Sequence, residues 1–81
     1  MAHVTFINQL RQFTGGVASV DVEARTVQQL LRTLGQTYPA LEPHLEVGVA
    51  VAIDGQIYQD ALFQEIGADS EVHILPMIAG G

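Results

Sequence analysis

At 81 residues the chain is expected to form a single domain, 1–81, with a small core and no room for a second. It has no cysteine, which excludes disulfides, thiolate metal sites and thiol nucleophiles. Three arginines and no lysine stand against nine carboxylates, giving a net charge of −6 and a pI near 4.6; nucleic acid and anionic membrane surfaces are poor partners for such a chain, and a basic protein is a better one.

His3 to Leu10 places Val4, Phe6 and Leu10 on one face of an extended segment and Thr5 and Ile7 on the other, as in a strand inside a sheet. The glycine pair ending Arg11-Gln12-Phe13-Thr14-Gly15-Gly16 predicts a turn. Val17 to Ala24 then alternates, with Ala18, Val20, Val22 and Ala24 facing one way and Ser19, Asp21 and Glu23 the other, so residues 3–24 read as a hairpin. Thr26 with Gln29 three residues later fits a capping box. Val27, Leu30, Leu31, Leu34 and Tyr38 follow as one helical stripe, with Gly35 and Pro39 bounding the helix end. A single amphipathic helix can bury its stripe only on the sheet, which gives a two-layer α+β domain.

Leu41 to Glu46, containing Pro43, reads as a loop. From Val47 to Ile53 a β-branched face (Val47, Val49, Val51, Ile53) alternates with a small one (Gly48, Ala50, Ala52), which implies a close approach on the small side. Asp54-Gly55 is a type I′ hairpin signal, and Gln56-Ile57-Tyr58 starts the return strand. Asp60 to Ala68, with Leu62, Phe63 and Ile66, reads as a short helical or irregular stretch. Ala68-Asp69-Ser70-Glu71 turns the chain into a last strand with Val72 and Ile74 inward and His73 and Leu75 outward.

That strand stops at Pro76, and the chain leaves as Met77-Ile78-Ala79-Gly80-Gly81 with the expected free carboxylate on Gly81. Proline ends the ladder and the glycines carry no Cβ, so residues 76–81 are expected to form a flexible tail able to enter a narrow cleft. Leu75, Met77 and Ile78 are apolar on a segment expected to be exposed, which marks a docking surface, and Phe63 is a candidate member of the same patch.

The element order, together with Ile74-Leu75-Pro76-x-x-Ala79-Gly80-Gly81 at the end, resembles the ThiS/MoaD family of sulfur carriers across the whole chain. The resemblance implies a ubiquitin-like β-grasp fold, a mixed sheet of four or five strands packed on one main helix. Leu10 to Gly16 is similar to the first loop of the branch that feeds cysteine synthesis. Pro76-Met77, where molybdopterin-synthase subunits often have Pro-Pro, departs from that branch. Other departures are Asp54-Gly55 for the common Asn-Gly, and Ala68-Asp69-Ser70 for Asp-Gly-Asp.

The family further implies that an E1-like adenylating enzyme of the MoeB/ThiF type uses ATP to activate the Gly81 carboxylate, and that a sulfur donor then displaces AMP to leave a thiocarboxylate for a sulfur-accepting synthase. The acceptor pathway is of the cysteine, molybdopterin or thiamine type. On this reading the chain binds no cofactor itself, ATP being the partner's. It is a protein co-substrate rather than an enzyme, though it would count as a small sulfurtransferase subunit if it served molybdopterin synthase. Gly80, Ala79, Ile78, Met77 and Pro76 thread into the partner's active site, and Leu75 and Phe63 dock.

Two alternatives stand beside it: a ubiquitin-like modifier joined through Gly81 to lysines of other proteins, and a non-covalent interaction domain. Without lysine, the chain could take part in isopeptide chemistry only as the donor, apart from its own N-terminus. No hydroxyl has a base at recognisable spacing, so no catalytic residue is assigned. His3 and His73 are expected on neighbouring strands, with solvated histidines favoured over a metal site; His44 is expected to be exposed. No apolar run reaches the roughly 20 residues that span a bilayer, and the start lacks a secretion signal, so a cytoplasmic location is expected.

Overall fold

The computed structural model describes residues 1–46, 49–59 and 61–76. Five strands form a single mixed sheet in the order β2-β1-β5-β3-β4. The first strand, β1 (Ala2–Phe6), buries Ala2, Val4 and Phe6 and leaves His3 and Thr5 half-exposed, the alternation that the sequence predicts. It stops four residues earlier than expected. Asn8 and Gln9 are poor strand formers, and a short helix α1 (Asn8–Arg11) begins there, so Leu10 reaches the core from a helical turn, 3% exposed. Gly15 and Gly16 turn the chain with φ of 70° and 88°, and β2 (Ser19–Val22) returns antiparallel to β1.

Helix α2 (Val27–Thr37) follows the predicted cap. Thr26 Oγ1 accepts from Gln29 N–H at 3.3 Å, while the Gln29 side chain reaches back to Arg25 N–H at 2.9 Å, one residue earlier than in the usual box. Val27, Leu30 and Leu34 are buried on the sheet, and Tyr38, just past the helix, meets Phe6 edge-on with centroids 5.8 Å apart. Gly35 does not bound the helix. It lies inside it and is buried, because a Cβ there would meet Glu42 Cγ at 3.3 Å; its lack of a side chain admits the next element.

That element is a helix, α3 (Glu42–Glu46), where a loop is expected. Proline is tolerated in a helix's first turn, so Pro43 as second residue breaks nothing. Leu41 (0% exposed) and Leu45 (9%) fasten this segment to the core.

Strands β3 (Val49–Ile53) and β4 (Gln56–Gln59) form the predicted hairpin, with Asp54 (φ 50°) and Gly55 (φ 88°) both left-handed as a type I′ turn demands. Residues 61–70 are irregular rather than helical, bridged to the start of α2 through Thr26 and Glu65. The last strand, β5 (Glu71–Pro76), lies between β1, to which it runs parallel, and β3, to which it runs antiparallel. Val72 and Ile74 are fully buried, with inward Val4, Phe6, Val51 and Ile53 around them. Each such side chain contributes about 1.5–3 kcal/mol by leaving water. This is an α+β, ubiquitin-like β-grasp fold with five strands, the upper of the two expected numbers.

Candidate functional site: the last strand and the open face of the sheet

The site grows out of β5, whose alternation decides what faces a partner. With Val72 and Ile74 inward, His73 and Leu75 point to the other side of the sheet, as expected; His73 is exposed and Leu75 half-buried. The buried residues of all three helices join the cluster on the inward face, so among the described residues no helix covers the outward one. In register across it lie Ser19, Thr5, His73, Ala52 and Ile57, with Leu75, Ala50 and Gln59 forming the next row. Ile57 is 61% exposed. Ala50 is 6% exposed, its short side chain sitting between the longer Leu75 and Gln59; among the described residues no further element covers it.

Pro76 is the last described residue of β5 and pairs with Val49. Met77, Ile78, Ala79, Gly80 and Gly81, the reactive terminus and most of the predicted threading segment, lie outside the described residues, as do Val47, Gly48 and Asp60.

The first loop folds back on the end of β1, the strand that runs beside β5. Ile74 pairs with Phe6, and the Phe6 carbonyl accepts from Arg11 Nε at 3.0 Å, which fixes a guanidinium at the end of β1 beside β5. Thr14, 4% exposed, has its hydroxyl within 2.9 Å of the Val17 carbonyl and 3.2 Å of the Arg11 carbonyl, tying both ends of the glycine turn together. Phe13 stacks on His44, ring centroids 3.9 Å apart and 31° from parallel. His44 is exposed as expected, yet the stack links the first loop to α3, a contact that no local pattern announces.

Phe63 is 83% exposed and Leu62 43%. Their segment is held against the first turn of α2, where Val27 N–H donates to the Gln64 carbonyl (3.0 Å) and Gln28 N–H to the Leu62 carbonyl (2.9 Å). Leu75 therefore stands on the sheet and Phe63 beside the helix start. An open groove of about 480 Å³ runs along Arg25, Thr26, Gln29, Glu65 and Ile66. The first four helical N–H groups are already bonded to Gln64, Leu62 and Thr26, so the groove offers no free anion cradle.

The histidines do not converge. His3 is opposite Glu71, while His73 is opposite Thr5. His3 Nδ1 lies 2.9 Å from Asp21 Oδ1 across the β1–β2 pair. That hydrogen bond first, with the charges of Glu71 and Asp21 adding to it against a smaller desolvation, raises the His3 pKa above its ordinary 6.5. Among the described residues no three His, Cys, Asp or Glu side chains gather as a metal set would require.

Asp54 does more than turn the hairpin. Its Oδ1 accepts from Glu71 N–H at 2.9 Å, its Oδ2 accepts from Ser70 Oγ–H at 3.1 Å, and its own N–H donates to the Glu71 carbonyl at 2.9 Å. The β3–β4 turn is thereby locked to the start of β5. Sequence reasoning missed this clamp, and it passed over Ile57 as a member of the open face, although Ile57's pairing with Ala52 follows from the hairpin register.

A five-stranded mixed sheet with its last strand in the centre, and no described helix over its outer face, is the β-grasp architecture. The ThiS family model matches residues 4–81, and the chain belongs to that family, with the ThiS/MoaD-type sulfur carriers. Solved structures share the fold. CysO from Mycobacterium tuberculosis, described as an antigen, is 21% identical with a TM-score of 0.81, over 96% of this chain and 100% of that one. A chain of the BexX/CysO complex of Amycolatopsis orientalis is 22% identical with a TM-score of 0.79, over 100% of both. The small archaeal modifier protein 1 of Methanosarcina acetivorans is 23% identical with a TM-score of 0.77, over 99% of this chain and 95% of that one. No curated protein sequence matches significantly.

Proposed function

We propose that this chain is a sulfur carrier whose working group is the Gly81 carboxylate. One observation carries the reading: the ThiS family match runs to residue 81 and so includes the Ala79-Gly80-Gly81 ending. A carboxylate resists nucleophilic attack because it is an anion with no leaving group. An E1-like enzyme of the MoeB/ThiF type joins it to AMP from ATP, releasing pyrophosphate. A sulfur donor then attacks the acyl carbon, AMP departs with the bonding pair, and a thiocarboxylate remains for a sulfur-accepting synthase. The carrier contributes no catalytic side chain and no cofactor. Its part is steric: Gly80 and Gly81 keep Cβ atoms away from the nucleotide and the incoming sulfur. Leu75, with Ile57 and Ala52 on the open face, gives the enzymes an apolar surface to grip; the protein complex formed by the structurally similar CysO supports such use of partners.

Incubating the chain with an E1-like enzyme, ATP and a sulfide source tests this by intact mass: one oxygen of Gly81 is replaced by sulfur, and an unchanged mass refutes the reading. The likeness to a small archaeal modifier supports a second use, conjugation of Gly81 to lysines of other proteins. Higher-mass adducts that vanish when Gly81 is deleted would demonstrate it.

A further inference from the structure

The sheet has two edges, and they are built differently. At the β2 edge, Asp21 lies within the strand and Glu23 follows it, so two copies meeting there would bring like charges together. The β4 edge carries no charge within the strand itself: Gly55, Gln56, Ile57, Tyr58 and Gln59 are all uncharged, although the chain as a whole carries −6. Of the two carboxylates that flank it in sequence, Asp54 is held toward Ser70 and Glu71 by its hydrogen bonds, and Asp60 follows Gln59.

The hairpin register shows which backbone groups this edge offers. A two-residue turn closes on a hydrogen-bonded pair, here Ile53 with Gln56, so Val51 with Tyr58 is the next such pair. Gln56 and Tyr58 therefore direct their N–H and C=O groups to β3, and Ile57 and Gln59 direct theirs outward. Among the described residues those outward groups meet no other strand. A second antiparallel β4 satisfies all of them in one register, in which Ile57 of each copy faces Gln59 of the other and Tyr58 faces Tyr58. The alternative centred on Ile57 leaves Gln59 opposite the glycine of the turn.

We propose that β4 is a self-association edge, pairing antiparallel with β4 of a second copy about a two-fold axis through Tyr58. Four backbone hydrogen bonds form, and the two Tyr58 rings, each packed at the margin of its own core, become neighbours across a non-hydrogen-bonded pair. The axis reverses the second copy, so the two β5 strands point in opposite directions, each separated from the contact by β3 and β4 of its own copy. So short an edge buries far less than a standard stable interface and gives a weak dimer. The inference does not depend on the sulfur chemistry.

Sedimentation velocity from about 20 μM to about 2 mM tests it, because mass action drives a weak dimer over that range. The weight-average mass is expected to climb from monomer toward dimer, and more steeply in high salt, since two copies of charge −6 repel each other. Gln59→Pro removes an outward donor while sparing the β3 ladder and is expected to stay monomeric throughout. The chain has no cysteine, so Tyr58→Cys reports the register directly: mild oxidation should cross-link it, and Ser19→Cys on the opposite edge should not. A native chain that remains monomeric at the highest concentration, or a Tyr58→Cys variant that cross-links no more than Ser19→Cys, overturns the proposal.

Discussion

The two faces of the sheet are made from the same strands and obey opposite rules. On the inner face Val4, Phe6, Val51, Val72 and Ile74 are all 2% exposed or less, closed over by α2 and its neighbours. On the outer face Thr5, His73, Ala52, Ile57 and Leu75 alternate with them residue for residue and remain partly or fully accessible. The difference teaches where sequence variation is tolerated: inner positions hold the fold, and outer positions are released from that demand and, on the proposed function, left to meet a partner.

Substitutions that respect or violate this division should separate cleanly. Phe6→Ala removes the ring that meets Tyr38 and is expected to cost about 3–5 kcal/mol, read by denaturant unfolding. Asp54→Ala leaves the Glu71 N–H and the Ser70 hydroxyl without their acceptor; a loss of about 1–3 kcal/mol is expected, with faster amide exchange at Glu71. On the outer face, exposed Ile57→Ser should change stability by no more than about 0.5 kcal/mol, and Leu75→Ala, which trims a half-buried side chain, should cost about 1 kcal/mol. They should nonetheless slow sulfur loading by the activating enzyme through KM; unchanged loading kinetics would remove the open face from partner recognition.

The smallest effect is expected at His3. Its pKa is raised in the folded chain, chiefly by the Asp21 hydrogen bond, so its contribution to stability is complete below the unfolded value near 6.5 and is lost as pH rises through the folded value. The imidazole resonances of His3 should titrate above 6.5, and Asp21→Asn should lower that midpoint; an unmoved midpoint would discount the pair.

Most of the scaffold was legible because period and capping are local properties. The α2 stripe, the Asp54-Gly55 turn and the inward Val72 and Ile74 are written into residues a few positions apart. What was misread depends on distant neighbours. Gly35 looks like a helix stop until Glu42 is seen packed on it, and Pro43 looks like a loop residue until it falls in a first helical turn. Leu10 keeps the expected burial while changing element, since a helical turn and a strand can aim it at the same core. The Phe13–His44 stack needed the assembled fold, because no short window of sequence holds both members, whereas the pairing of Ile57 with Ala52 was readable from the hairpin register.

The placement of β5 has a consequence for biosynthesis. The hairpin of β1 and β2 and the hairpin of β3 and β4 touch the same sheet only through this strand, which is formed from residues 71–76. A nascent chain can therefore preassemble two halves but cannot close the sheet until that segment has cleared the ribosome. Premature termination anywhere before it should yield a product without a joined sheet, open to removal by cellular proteases.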